Sequence, residues 1–354
     1  MILVTGGAGF IGSNFVLDWL KQSDESVINF DKLTYAGNLD NLSMIKSDPR
    51  HKFVKGDICD TAHISQTLST YKPRAVIHFA AESHVDRSIR SPIDFINTNI
   101  NGTFSLLEAA RYYCSSLSDV AREAFRFLNI STDEVYGSLG PDDAPFSETT
   151  PYAPNSPYSA SKAAADHLVR AYHHTYGLPT LTTNCSNNYG PYHFPEKFIP
   201  LIIANALAGN SLPIYGDGQN IRDWLYVGDH CNAIRRVLAH GKLGEVYNIG
   251  GSNERSNLEV AHILCDILDD LIPKRGIDGV GTYRDQITYI TDRPGHDRRY
   301  AVNVGKIERE LGWKATESFD SGMKKTVQWF LEHRDWLMAS TEGGHKEYGD
   351  RIGD

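Results

Sequence analysis

Through the first half of the chain, short apolar runs alternate with stretches of helical periodicity. The runs over 2–4, 26–30, 51–55, 75–79 and 125–130 predict strands. Between them, 12–21, 61–70 and 101–113 carry apolar residues three and four apart and predict helices. A further helix is expected over 158–176, where Ser156 offers a hydroxyl cap, Pro157 suits the first helical position, and Gly177 with Pro179 ends the element. Strands alternating with helices predict a parallel sheet covered on both faces, the doubly wound α/β class.

Beyond Leu178 the pattern loosens and prolines and glycines become frequent. Strands are still expected over 181–184 and 224–227, and helices over 229–239 and 258–271. The division this predicts is a sheet domain over 1–178 and a smaller mixed α/β lobe over most of 179–354, with segments near 179–190 and 222–245 returning to the sheet. The tail from Ser340, with Gly343, Gly344 and Gly353, is expected to be loosely held.

Composition narrows the classes. At 354 residues, 41% hydrophobic and 22% charged, the chain is long enough for a sizeable core and unlike disordered or collagen-like sequences. A net charge of −9 argues against nucleic acid or an anionic membrane as partner. Cys59, Cys114, Cys185, Cys231 and Cys265 are odd in number and scattered, with no zinc-type spacing, so reduced thiols and no metal are expected. The sequence opens directly on the first strand and has no apolar run near ~18 residues, which predicts a cytoplasmic protein with no membrane span.

The strongest local motif follows the first strand. Thr5 to Gly12 contains Gly7-x-Gly9-x-x-Gly12, where glycines allow a tight turn and close approach of a pyrophosphate to the free N–H groups of a helix start. The spacing alone is weak, but the second strand ends in Asp31, nineteen positions after Gly12. A carboxylate there accepts from both ribose hydroxyls and repels a 2′-phosphate, which favours NAD over NADP. The first domain is therefore expected to be a Rossmann-type cofactor domain. Ala80 and Ala81 end the fourth strand, where a ligand would lie at the switch point, although packing also explains small residues there.

Tyr158 and Lys162 lie one helical turn apart. A phenol needs ~4 kcal/mol of phenolate stabilisation to act as a base near neutrality, which an ammonium and a nicotinamide cation can supply. After the fifth strand come Ser131, Thr132, Asp133 and Glu134. One reading is a capping box from Ser131 to Glu134, with Asp133 at a helix N-terminus. The other is two adjacent carboxyls aimed at a substrate beside Tyr158.

These residues and the second lobe resemble the extended short-chain dehydrogenase/reductase superfamily. More narrowly, 31–38 (DKLTYAGN), 80–88 (AAESHVDRS), Thr132-Asp133-Glu134 and 292–296 (DRPGH) look like the dTDP-glucose 4,6-dehydratase family, and the resemblance runs from Met1 to about Trp336. Relatives that epimerise or decarboxylate nucleotide sugars generally lack the Asp-Glu couple. A 4-epimerase remains the competing enzyme reading; the intact catalytic set weighs against a cofactor-sensing regulator.

The resemblance implies dehydration of dTDP-glucose to dTDP-4-keto-6-deoxyglucose with NAD tightly held and regenerated each turnover. Tyr158 would take the C4 hydroxyl proton, assisted by Thr132 and Lys162. Glu134 would abstract the C5 proton and a protonated Asp133 would donate to the leaving C6 hydroxyl. It places cofactor contacts at Gly6, Gly9, Phe10, Ile11, Gly12, Asp31, Lys32, Leu33, Thr34, Asp57, Ile58, Ala80, Ala81, Thr98, Tyr158, Lys162 and Asn188. Substrate contacts would be Ser83, Thr132, Asn187, Glu196, Lys197, Phe198, Ile199, Pro200, Leu201, Pro213, Tyr215, Arg222, Asn257, Asp292 and His296. His84 either lines that site or satisfies the core. Lys197 and Arg222 also fit on charge alone as partners of a diphosphate. A homodimer pairing the helices over 101–113 and 158–176 in a four-helix bundle is implied as well.

Overall fold

The computed structural model describes residues 1–273 and 281–349. Seven parallel strands form the main sheet: β1 (Ile2–Thr5), β2 (Val27–Asp31), β3 (His51–Lys55), β4 (Ala75–His78), β5 (Arg126–Thr132), β6 (Thr180–Cys185) and, from further along the chain, Val246–Ile249. Val246–Ile249 is at one edge, followed by β6, β5, β4, β1, β2 and β3. β1, β2 and β4 are buried along their whole length, the reason their sequences read as unbroken apolar runs. Helices Phe10–Gln22 and Val227–His240 cover one face through Phe15, Val16, Ile234 and Val237. Helices Thr61–Tyr71, Thr103–Ser115 and Pro157–Tyr176 cover the other through Ile64, Leu68, Leu106, Ala110 and Val169.

The remaining strands are β7 (Asn187–Tyr189), β8 (Leu212–Tyr215), β9 (Ile221–Tyr226), β10 (Val246–Ile249, already placed), β11 (Glu254–Ser256) and β12 (Ile287–Ile290). β7, β9 and β11 make a three-stranded sheet, and β8 pairs with β12. Helices Phe198–Ala208, Asn257–Leu271 and Phe319–Glu332 pack a second core around Ile202, Leu264, Met323 and Phe330.

The helix expected over 158–176 is Pro157–Tyr176, with a reciprocal Ser156/Ser159 capping box and Gly177 at φ +66 closing it. Several expectations are corrected. The strand expected over 224–227 is β9, in the small sheet; β10, too short to show a period, is the strand that returns to the main sheet. The helix expected from 101 begins earlier, through a wide π-helical turn at Ile96–Gly102. Ser131 caps nothing: Thr132 is the cap of the short 3-10 turn Asp133–Tyr136, accepting from the Glu134 N–H, while the Ser131 hydroxyl donates to Asp166. The tail is helical over Arg334–Gly349, including Gly343 and Gly344, whereas Gly353 lies outside the described residues.

Candidate active site

A cavity of about 500 Å³ opens at the carboxyl ends of β1, β4 and β5 and continues into the second lobe. At one end lies the glycine loop. A Cβ on Gly6, which has φ +71, would meet the Ala80 backbone N at 2.5 Å; one on Gly12 would meet the Gly6 carbonyl oxygen at 2.2 Å. These two glycines let loop, helix and β4 close on one another. Gly9 differs: a Cβ there would meet protein only at 3.4 Å, and the residue lines the cavity. It begins helix Phe10–Gln22, whose first turn has no side-chain cap and no acidic residue, leaving N–H groups available to a diphosphate.

Asp31 is 8% exposed and lines the same wall, its carboxylate accepting from the Ala8 N–H (2.9 Å) and the Leu33 N–H (2.8 Å). Burial raises its pKa and those backbone bonds oppose the rise. Lys32 pairs with Asp57 at 2.7 Å on the rim. Phe10, Ile11, Thr34, Ile58, Ala80, Ala81 and Thr98 also line the cavity. Asn188 lines it too, fixed by His230 and the Ser186 carbonyl. Leu33 does not; at φ +58 its backbone bends to serve Asp31.

At the centre, β5 and helix Pro157–Tyr176 bring Thr132, Asp133, Glu134, Tyr158 and Lys162 to one wall. The Lys162 ammonium donates to the Ile130 carbonyl at 2.8 Å. Burial lowers the Lys162 pKa, and raises that of the Tyr158 phenol well above the usual phenol value; Glu134 pushes it the same way and the Thr132 hydroxyl opposes. The two carboxyls differ in kind. Asp133 is raised far above the carboxylate range by burial and then by the Glu134 charge, and its Oδ2 is buried with no hydrogen-bond partner. Glu134 is also raised by burial, but Arg293, Arg222 and Lys197 hold it down. The surroundings of Asp133 thus favour its acid form, whereas the cations around Glu134 favour its carboxylate.

Toward the second lobe the wall carries Ser83, His84, Asn187, Glu196, Lys197, Phe198, Leu201, Pro213, Tyr215, Arg222, Asn257 and His296. Lys197 reaches across the cleft to the Ser83 carbonyl at 2.6 Å. Arg222 donates to the carbonyls of Ile221 and Asp297 and lies over the Tyr300 ring at 4.3 Å. Both side chains are thus anchored by carbonyl oxygens on the cavity wall, and burial lowers the pKa of each. His84 lines the cavity and belongs to no core cluster among the described residues; its ring also caps helix Val85–Arg90, and burial lowers its pKa to about 3. Three expected substrate contacts are off the wall. Ile199 and Pro200 are buried, Ile199 within the second core, because they sit on the inner side of helix Phe198–Ala208. Asp292 instead holds the His296 ring through its Nδ1 at 2.6 Å.

Arg293, inside the 292–296 stretch that the family resemblance marks for substrate contact, lines the cavity; its Nε is buried without a partner and its guanidinium lies 3.5 Å from Asp86. Sequence reasoning missed His193, stacked on Phe10 at 4.3 Å with Nδ1 unpartnered. His193 lies in an irregular loop without periodicity. Among the described residues no cluster of His, Cys, Asp or Glu is arranged to hold a metal, and no helix is long and apolar enough to cross a membrane.

The glycine loop, an acid at the end of β2, a buried Tyr/Lys pair and a second lobe closing on them define an extended short-chain dehydrogenase/reductase. Residues 3–326 match the family model described as GDP-mannose 4,6 dehydratase. The chain is 57% identical over 355 residues to dTDP-glucose 4,6-dehydratase of Salmonella typhimurium, covering 98% of this chain and 97% of that one. A solved dTDP-glucose 4,6-dehydratase from Bacillus anthracis in complex with NAD superposes with a TM-score of 0.84 at 46% identity, covering 96% of this chain and 99% of that one. The Streptomyces venezuelae enzyme with NAD and TYD bound gives 0.85 at 46% identity, over 95% and 98%. The chain belongs to the dTDP-glucose 4,6-dehydratase family.

Proposed function

We propose that the chain is a hydro-lyase that converts dTDP-glucose to dTDP-4-keto-6-deoxyglucose, with NAD as its tightly held cofactor. The observation that carries this reading is the pair of adjacent buried carboxyls with opposed environments, Asp133 facing Glu134 and Asp223, Glu134 facing three cations. NAD held at the glycine loop would supply the hydride acceptor for C4 of the sugar and the hydride donor for C6. The open helix start at Gly9 and the Asp31 carboxylate support its placement at the glycine loop.

Tyr158 takes the proton of the C4 hydroxyl; Lys162 and Thr132 stabilise the phenolate and orient the oxygen. Once C4 is a ketone the C5 proton is acidic, and Glu134 removes it. Asp133 gives its proton to the departing C6 hydroxyl. Lys197, Arg222 and Arg293 supply positive potential in an acidic protein whose cofactor and substrate are both diphosphates.

Residues 1–178 with the returning segments hold the cofactor in this reading, and the rest binds the sugar nucleotide. A homodimer through helices Thr103–Ser115 and Pro157–Tyr176 is supported by exposed Phe104, Tyr112 and Tyr176 on them. A cytoplasmic setting is supported by Cys59, Cys114, Cys185 and Cys231, which remain free thiols. The function is tested by incubating the protein with dTDP-glucose, UDP-glucose and GDP-mannose without added NAD. Alkali-absorbing keto sugar should form fastest from dTDP-glucose. A C4-inverted sugar that keeps its C6 oxygen would establish an epimerase instead.

A further inference from the structure

Beside Tyr158 and Lys162, helix Pro157–Tyr176 carries a buried carboxyl that the reaction above leaves without work. Asp166, one turn beyond Lys162, is 5% exposed and does not line the cavity. Its carboxylate accepts three hydrogen bonds: Asn129 Nδ2 at 2.8 Å, Ser131 Oγ at 2.8 Å and Tyr152 OH at 3.1 Å. All three donors are neutral. They favour the carboxylate over the acid without cancelling its charge. Asn129 and Ser131 flank Ile130 on β5, and the Ile130 carbonyl is the acceptor of the Lys162 ammonium. One stretch of strand thus grips both helix residues.

We propose that Asp166 is a positioning residue, the buried counter-charge that keeps Lys162 an ammonium beside Tyr158. The inference rests on the assignment of Tyr158 and Lys162 above. An ammonium taken out of water against a single carbonyl loses its proton readily, because the carbonyl supplies a dipole and no charge. Asp166 supplies the missing charge from one helical turn away.

The other groups facing the pair cannot substitute. Tyr152, from the segment before the helix, and Tyr136, from the 3-10 turn, are phenols raised by burial. Cys185, on β6, is a thiol pushed up to about 12. His78, on β4, is lowered to about 3 by burial and then by the Lys162 charge, and is neutral. His167 touches the Tyr152 ring from the next helical position. Asp166 itself is raised to about 6 by burial, with Lys162 foremost among the influences restraining it, so it is ionised at neutral pH.

The sign follows. Burial lowers the Lys162 pKa and Asp166 raises it. Without the carboxylate, Lys162 loses its proton at lower pH, and the rate of C4 oxidation falls earlier as pH rises. Residues four apart on a helix have Cβ atoms about 5–6 Å apart, and an opposite charge within roughly 4–6 Å moves a pKa by about one to three units.

The test measures single-turnover C4 oxidation against pH, read as reduced-cofactor absorbance, for the wild type, Asp166→Asn, Asp166→Glu, Ser131→Ala and Tyr158→Phe. Asp166→Asn should move the alkaline limb down by about one to three pH units with the KM for dTDP-glucose unchanged. Asp166→Glu, which keeps the charge, should leave that limb near the wild-type position, and Ser131→Ala should lower the rate without moving it. Asp166→Ser serves as the neutral variant if the amide does not fold. An alkaline limb that overlays the wild type in the neutral variant, or that moves equally in Ser131→Ala, overturns the inference. Oxidation that persists in Tyr158→Phe overturns the parent assignment instead.

Discussion

Replacing Asp133 by Asn isolates the elimination step. Asp133 Oδ2 is buried without a partner, so the amide fits the same space and breaks no bond that Oδ2 makes. What it removes is a transferable proton. General acid catalysis by a positioned group is worth about 10²- to 10⁴-fold, or about 2.7–5.4 kcal/mol of barrier at 1.36 kcal/mol per tenfold. C4 oxidation does not use that proton. Rapid mixing with dTDP-glucose should therefore show reduced cofactor forming at near the wild-type rate and persisting, while 4-keto-6-deoxy product appears 10²- to 10⁴-fold more slowly.

A pH signature accompanies it. The acid form of Asp133 is required, so wild-type elimination declines as pH rises through its elevated pKa; Asn should abolish that alkaline decline. The acid limb, set by Glu134 having to ionise, should stay. Equal slowing of oxidation and elimination, or elimination at the wild-type rate, would refute the division of labour between the two carboxyls.

Gly12→Ala should lower stability by about 1–3 kcal/mol, as expected of an overpacked contact, with the loss visible in thermal unfolding. Gly9→Val should leave the unfolding midpoint of the cofactor-free protein nearly unchanged and abolish retention of NAD on gel filtration, since the space beside Gly9 is cavity and not protein. Asp31→Ser should weaken NAD binding roughly tenfold to a hundredfold by removing charged hydrogen bonds to ribose, measured by titration of the stripped protein. Phe104→Glu combined with Tyr112→Glu should halve the sedimenting mass if those helices form the dimer; an unchanged mass refutes that interface.

The sheet domain was legible because its physics is local. Strands covered on both faces must be apolar throughout, and the capped helix at Ser156 announces its own start. The second lobe hid for equally physical reasons. Helix Phe198–Ala208 is almost uniformly apolar, so it shows no period that would separate its inward residues Ile199 and Pro200 from the cavity-lining Phe198 and Leu201. β10 has four residues and β11 three, below what alternation can reveal. At the site, residue types pointed to Asp133, Glu134, Tyr158 and Lys162, but not to which carboxyl holds the proton. That depends on Arg293, Arg222 and Lys197, which converge from separate segments on Glu134. Nor could spacing tell Ser131 from Thr132 as the cap, because Asp166 competes for the Ser131 hydroxyl.

The path of the chain through the main sheet constrains how such an enzyme can be altered. β6 pairs with β5 over six residues, and β10 pairs with β6, yet the segments building most of the second lobe lie between them and after them. A protein cut after Leu178 would expose β5 as a raw sheet edge, and a second lobe transplanted with that cut would carry two of the seven strands, β6 and β10, into a sheet built by another sequence. New sugar specificity is therefore reached by replacing loops and single wall residues, such as those around Lys197 and Arg222. Exchanging whole lobes between relatives breaks the sheet that holds the cofactor.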